Sequence, residues 1–432
     1  MNSIWSESTE MPHFPKLEGS VKTDVLIIGG GIAGILCAYF LQERGVDYIL
    51  VEGDRICSGI TKNTTAKITA QHGLIYDRLL KNTGVESASL YLQANQEAVR
   101  KYVQLCSDID CDFQMKTSYV YSMDDRRKIE KEVEALWKIG FPAKFQETTE
   151  LPFSIAGAIA FENQAQFHPL KFLSVIAANL KIYEHSFVKE LRENAAVTEY
   201  ADITFQKAVF ATHFPMVNKH GMYFLKLYQH RSYVIALKNA AWLDGMYVDE
   251  NKKGMSFRNQ NDLLLVGGGA HRTGKKGGNW QELREFAQKY YPMAEEVTYW
   301  ATQDCMSLDQ VPYIGLYSKG LINCYVATGF CKWGMTSSMT AAMLLADLIL
   351  EKENPYSQIF DPSRSMIKPQ LFLNGMEAMK NLLTISRKRC PHMGCALKWN
   401  AVEHSWDCPC HGSRFDEDGC LLNNPANGHL PE

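Results

Sequence analysis

The sequence predicts a mixed α/β and α+β chain. Three observations predict it: a strand–glycine turn–helix–strand unit near the start, alternating aromatic-rich segments in the middle, and grouped cysteines and histidines near the end. The first implies a doubly wound α/β unit. The second implies a strand-built unit interleaved with it, and the third a small, mainly β unit.

The chain has 432 residues, enough for two or three domains with a sizeable core. Apolar residues make up 46% and charged residues 22%, which excludes a disordered chain. With 45 Lys and Arg against 48 Asp and Glu, the net charge of -3 gives no sign of a nucleic-acid or anionic-membrane surface. No apolar run approaches the roughly 18 residues that a membrane span needs. The stretch Met1 to Gly19 lacks the basic start and apolar centre of a secretory signal, so a cytoplasmic location is expected.

Asp24 to Ile28 reads as a buried parallel strand, being short, apolar and bounded by glycines. A helix follows from about Ile32 to Arg44, stopped at Gly45, and Tyr48 to Val51 is the second strand. Val85 to Leu136 is expected to be mainly helical, with Asp124 to Glu134 as a solvated charged face. Phe187 to Ala211 and Arg231 to Val266 read as strands, and Trp300 to Thr328 as turns ending in another strand. Thr336 to Glu351 reads as a helix, and Asn354 to Ser365 as a Pro- and Ser-containing linker.

Gly29, Gly31 and Gly34 spell GxGxxG between strand and helix. The first glycine permits the tight turn, the second lets a pyrophosphate approach the backbone, and the third lets helix and strand pack closely. The helix N-terminus around Ile32 and Ala33 offers N–H groups and a positive dipole end to phosphates. Glu52 closes the second strand, where a carboxylate can bond both ribose hydroxyls. This is a Rossmann-like dinucleotide site, and the motif by itself leaves FAD and NAD open. Gly269 to Lys276 (GAHRTGKK) nearly spells a phosphate-binding P-loop but ends in Lys276 where Ser or Thr should ligate Mg²⁺, so it reads as a surface or substrate-domain turn.

Two further segments bear on that choice through a resemblance. Asp309 to Gly315 contains DQVPYIG, and Ala327 to Thr336 reads ATGFCKWGMT. With the N-terminal position of the fingerprint, these resemble the D-amino-acid-oxidase-like (DAO) family of FAD-dependent oxidoreductases. The resemblance implies that Gly329, Gly334, Met335 and Thr336 contact the flavin, and that Val188 lies in a strand passing the adenine. Lys67 is a further candidate for the pyrophosphate or flavin, against a solvent-exposed lysine. His213 stands where the family has a glycine.

Five of the 12 cysteines follow residue 389. Cys390, His392, Cys408 and His411 lie in CxH and CxxH loops that can bring two thiolates and two imidazoles to one centre. That set suits a Rieske-type [2Fe–2S] cluster or a tetrahedral zinc ion, and a tail without metal is the third reading. The strings CPHMGC and CPCHGS resemble the Rieske family of cytochrome bc-complex type. The resemblance implies those four residues as ligands and a Cys395–Cys410 disulfide between the two loops. It also shows Phe415 where many members carry a tyrosine hydroxyl bonded to a ligand sulfur, and a shortened stretch of strands before Cys390.

Together with NTTAKITAQHG (Asn63 to Gly73), QFHPLKFL (Gln166 to Leu173) and SWDCPCHGSRFD (Ser405 to Asp416), the halves resemble bacterial FAD-dependent oxidoreductases with a C-terminal Rieske domain. The expected organisation is an oxidoreductase over 20–352, a linker over 353–385 and a truncated cluster domain over 386–432. FAD-binding segments are expected at about 20–85, 160–215 and 300–352, and substrate-domain segments at about 86–159 and 216–299. The implied activity is oxidation of a small-molecule substrate by hydride transfer to FAD, with electrons passed to the [2Fe–2S] cluster and an unknown acceptor. An electron-transfer flavoprotein without its own substrate, or a flavin oxidase with a degenerate cluster tail, are the alternatives. No catalytic acid or base is assigned. His72, His168 and Tyr233 read as core or hydrogen-bonding residues first.

Overall fold

The structure is a computed structural model and describes residues 2–217, 220–251 and 253–431. Its first sheet has eight strands, with Gly19–Ile28 lying between Ala201–Phe210 and Tyr48–Val51, parallel to both. Val25 to Ile28 are buried, as both faces of a parallel sheet require. The helices Ile32–Glu43 and Gly334–Ile349 pack together over this sheet. The helix and the second strand match the βαβ reading within one residue, while the first strand starts at Gly19, five residues before the expected Asp24.

A second, nine-stranded sheet runs in the order Glu295–Ser307, Leu227–Lys238, Leu263–Arg272, Ser256–Gln260, Gly245–Asp249, Gln114–Ser122, Gly157–Gln166 and Lys67–Ile68, with Lys144–Gln146 also paired to Gly157–Gln166. It is antiparallel except where Gly245–Asp249 runs beside Gln114–Ser122. Its make-up shifts the expected segment boundaries. Residues 160–166 and 300–307, assigned to the FAD-binding segments, pair in this sheet, as does Lys67.

The helical expectation for Val85 to Leu136 is corrected. A helix spans Tyr76–Cys106, bent at Gly84 (φ 84°). A strand spans Gln114–Ser122, and a second helix spans Arg126–Lys138. Thr117, Tyr119, Val120 and Tyr121 are the β-branched and aromatic side chains that suit a pleated, half-buried surface, and the partner strand supplies their register. Within the charged helix Glu132 is buried and accepts the N–H groups of Tyr76 and Asp77, both at 2.8 Å. Burial pushes its carboxyl up to about 7, so it caps the neighbouring helix and is no part of a solvated face.

The expected linker is ordered structure. Phe360 is buried, Arg364 grips Asp309 with two bonds of 2.9 Å, and a helix spans Pro369–Leu383. Beyond it a four-stranded antiparallel sheet is formed by Lys398–Asn400, Ser405–Asp407, Arg414–Phe415 and Leu421–Asn423. Its small core joins Cys390, Cys395, Cys408 and Cys410 to Leu397 and Phe415.

Candidate functional site

A cavity of about 1250 Å³ opens at the carboxyl ends of the parallel strands. Of the fingerprint residues, Gly29, Gly31, Ile32, Ala33 and Glu52 line it. Gly29 has φ +110°, and a Cβ there would meet Ala211 O at 2.6 Å. A Cβ on Gly34 would come within 1.9 Å of Gly29 O, so Gly34 serves close packing and does not face the cavity. Gly31 caps the helix, where an added Cβ would meet only Thr61 Oγ1 at 3.3 Å. Backbone can therefore approach a ligand there. Glu52 accepts Gly30 N–H at 2.6 Å and Asp54 N–H at 3.0 Å, and burial raises its carboxyl above the ordinary value.

Lys67 lines the cavity and is 9% exposed, which disposes of the solvent-exposed reading. Burial, with the Arg258 guanidinium nearby, pushes its ammonium down to about 7. Its Nζ donates to Thr65 Oγ1 at 3.2 Å. A buried amine beside a guanidinium, with no carboxylate bonded to it among the described residues, is a site for an anion, and a pyrophosphate fits it.

From the late segment, Gly329, Gly334 and Met335 line the cavity. Thr336 does not: its hydroxyl donates to Thr69 O at 3.0 Å and lies 2.9 Å from His72 Nε2. Val188 lines the cavity from the segment between the strands Ile182–Tyr183 and Glu190–Arg192 and not from a strand, although Lys189 N–H next to it bonds Val197 O at 2.8 Å. His213 has a positive φ of 64°, a conformation that favours glycine. Its ring is bonded to Gln229 Oε1 at 2.9 Å.

The three residues read as structural are hydrogen-bonding groups. His72 Nδ1 lies 2.6 Å from Tyr91 Oη, its ring stacks on Trp333, and burial pushes its imidazole down to about 3, so it is neutral. His168 caps the helix Pro169–Ala177 by accepting Lys171 N–H. Tyr233 donates to Glu403 Oε1 at 3.1 Å. The cavity-facing polar groups Tyr228, Ser232, Asp304 and Lys332 were not singled out in the sequence. For Tyr228, Ser232 and Asp304 the signal is alternation along Leu227–Lys238 and Glu295–Ser307, which gives a face but no function; Lys332 lies in the turn before the helix Gly334–Ile349.

The cysteine and histidine loops are near copies of each other. Gly394 N–H bonds Cys390 O and Gly412 N–H bonds Cys408 O, both at 2.9 Å, and both glycines have positive φ (74° and 88°). Cys395 and Cys410 are joined as a disulfide between the loops. The Cys390 and Cys408 thiols share a hydrogen bond. Cys390 is held at about 7, first by the Cys408 thiol and, against burial, by the Ser413 hydroxyl and the N–H groups of His392 and Met393. Donors converging on one sulfur are what a ligand thiolate requires. The His392 and His411 rings lie 4.9 Å apart, and His411 Nδ1 is buried with no hydrogen-bond partner among the described residues. These residues fit a two-sulfur, two-imidazole centre.

The two sites share a wall. Leu421 to Asn424 and Ala426 to His429 line the same cavity as the fingerprint. Asn424 Nδ2 donates to Thr212 O at 2.6 Å, and Gln229 Nε2 to Asn424 O at 3.3 Å. The Phe214 ring lies 6.0 Å from His392 and 6.1 Å from His411. The string rejected as a P-loop docks the second ligand loop: Arg272 donates to Pro409 O and Cys410 O, each at 3.0 Å. A Cβ on Gly274 would strike Pro409 N at 2.6 Å. This role is not legible in the sequence, because the partner lies more than 130 residues away.

Residues 24–348 match the FAD dependent oxidoreductase family, and residues 367–432 match the Rieske [2Fe-2S] domain. The chain is 35% identical to the Rieske 2Fe-2S iron-sulfur protein YhfW of Bacillus subtilis (strain 168), over 98% of this chain and 96% of that protein. A 41-residue stretch is 50% identical to the cytochrome b6-f complex iron-sulfur subunit 2 of Trichormus variabilis, covering 10% of this chain and 23% of that subunit. Among solved structures, glycine oxidase from Geobacillus kaustophilus superposes with a TM-score of 0.68 at 19% identity, over 80% of this chain and 99% of that one. L-Proline dehydrogenase from P. horikoshii superposes with a TM-score of 0.66 at 18% identity, over 81% and 98%.

Proposed function

Because this chain belongs to the FAD dependent oxidoreductase family and carries a Rieske [2Fe-2S] domain, we propose that it oxidises a small-molecule substrate at the flavin and passes the electrons within the chain to the cluster. Bound FAD supplies a hydride acceptor, and the cluster is a one-electron carrier. The carrying observation is the shared wall: the segment after the second ligand loop lines the flavin cavity, and Phe214 joins that wall to both histidines.

In this reading Gly29, Gly31, Ile32, Ala33 and Lys67 hold the pyrophosphate, Glu52 the ribose, and Val188 the adenine side. Gly329, Gly334 and Met335 border the flavin, with Gly34 and Thr336 supporting them from behind. Cys390, His392, Cys408 and His411 are the cluster ligands. The Cys395–Cys410 disulfide fixes the spacing of their loops. The size of the cavity and the polar face formed by Tyr228, Ser232 and Asp304 favour an enzyme with its own substrate over a flavin that only relays electrons. The fold shared with glycine oxidase and L-proline dehydrogenase favours amines and amino acids as the first compounds to screen.

The test is anaerobic. Flavin reduced by a screened substrate, or by light with EDTA, is expected to be followed by the EPR signal of a reduced Rieske cluster. Full flavin reduction with a cluster that stays oxidised would sink the proposal.

The potential offers a second check. Ser413 supplies a hydroxyl to Cys390, while Phe415, fully buried beside the ligands, supplies none. Hydrogen bonds to the sulfurs stabilise the more negative, reduced cluster, so a missing one lowers the potential. Phe415→Tyr is therefore expected to raise the reduction potential in an EPR-monitored titration; an unchanged or lower value contradicts it.

A further inference from the structure

The helix Pro369–Leu383 is turned with its apolar side outward. Phe372 is 64% exposed, Met376 55%, Met379 60% and Leu383 77%, and Ile385 just beyond it 99%. Positions 372, 376, 379 and 383 form one stripe at helical spacing. The opposite stripe is polar and faces the protein. Asn374 bonds Leu225 O and Arg272, Glu377 pairs with Lys275, and buried Asn381 donates to Glu377 Oε1 while its backbone carbonyl accepts Ala396 N–H. The orientation is thus fixed by a satisfied hydrogen-bond set, and the apolar stripe is left to the outside. A contiguous apolar surface of this kind marks a contact site.

The charge around it names the contact. Residues 367–389 hold five cations, Lys368, Lys380, Arg387, Lys388 and Arg389, against one acid, Glu377, in a chain whose net charge is -3. Glu377 is turned inward onto Lys275. Arg389 spends its guanidinium on the carbonyls of Leu382, Thr384 and Gly394, and Lys388 lies over the Trp406 ring. Among the described residues none of the five cations has a carboxylate within ion-pair distance.

From the apolar stripe flanked by cations we infer that this helix docks the protein onto an anionic lipid surface, lying in the interface without crossing it. No described helix is long and apolar enough to cross a membrane. Overall charge gave no hint of this surface, because the cationic excess is local and the rest of the chain outweighs it. Arg389 donates to Gly394 O at 2.7 Å, which ties the end of the helix to the first ligand loop. The docked surface therefore borders that loop on the side of the exposed Met393.

The experiment is co-sedimentation of the full-length protein, loaded with both cofactors, with vesicles of phosphatidylcholine alone or mixed with phosphatidylglycerol. Light scattering of the same samples without vesicles gives the oligomeric state. Binding is expected only to the anionic vesicles and is expected to weaken in about 0.5 M salt, where the Debye length falls below roughly 5 Å. Phe372→Asp and Leu383→Asp are each expected to weaken it about tenfold, since each withdraws one large apolar side chain from the lipid. Arg387→Glu with Lys380→Glu is expected to abolish the preference for anionic vesicles. FAD content and cluster EPR should be unchanged in all variants, because these side chains face outward. Absence of vesicle binding, or binding indifferent to these substitutions, overturns the inference. So does a dimer of the unmodified protein that Phe372→Asp dissociates while vesicles capture nothing; the stripe then meets a second copy.

Discussion

Glu403→Ala is expected to destabilise the docking of the C-terminal unit by about 3–5 kcal/mol, the cost of leaving a buried charge without its partner. Glu403 is the hinge of a charge network between the units. It accepts Arg231 Nε at 3.0 Å, Tyr233 Oη at 3.1 Å and Arg414 Nη2 at 2.9 Å, with a further bond from Arg231 Nη2. Both ends of the Arg231–Glu403 pair are buried, at 5% and 4% side-chain exposure. Arg414 keeps Asp407 when Glu403 is removed, but among the described residues Arg231 keeps no carboxylate within ion-pair distance. The check is thermal unfolding of the loaded protein, with limited proteolysis after residue 353 as the local readout. A loss below about 1 kcal/mol would show a solvated pair worth no more than a surface salt bridge.

The same residue sets a pH dependence. Burial by itself would raise the Glu403 carboxyl, but the Arg231 and Arg414 charges and the hydrogen bonds outweigh it and hold it below the ordinary carboxylate value. A carboxyl lowered in the folded state contributes stability above its unfolded value and loses it as pH falls through the folded one. Docking is thus expected to be unaffected at neutral pH and to weaken on the acid side of the usual glutamate range. Glu403→Gln should remove that acid transition, and a transition of unchanged size in Glu403→Gln assigns it to another group.

Gly34→Ala is expected to lower FAD retention at least about tenfold, in line with overpacking costs of roughly 1–3 kcal/mol or more. The added Cβ would lie 1.9 Å from Gly29 O, a backbone atom of the turn itself, so the turn and not a flexible side chain has to give way. Helix and strand must separate, and the cradle for the pyrophosphate opens. Gly375→Ala is the control: a Cβ there meets nothing within 4 Å. FAD released from equal amounts of purified protein is the measurement. Equal content in both variants would mean that the turn adapts and that the fingerprint does not depend on close packing.

Short-range spacing determined much about this protein. The first strand, turn, helix and second strand were legible because each depends on residues within one turn or one pleat of each other. The two ligand loops were legible for the same reason, since CxH and CxxH set the reach of their side chains locally. The tertiary structure decided what depends on distant partners. Gln114–Ser122 is a strand because Gly157–Gln166 lies beside it, and Glu132 is buried because Tyr76 and Asp77 need its oxygens. Thr336 turns away from the cavity because Thr69 and His72 offer it hydrogen bonds. GAHRTGKK became a dock for the cluster loop once the fold brought Arg272 to Pro409, and the helix Pro369–Leu383 faces its apolar side outward because Arg272, Lys275 and Leu225 satisfy its polar side. Local periodicity fixes which side chains share a face, but only the packing of remote segments fixes which face is covered.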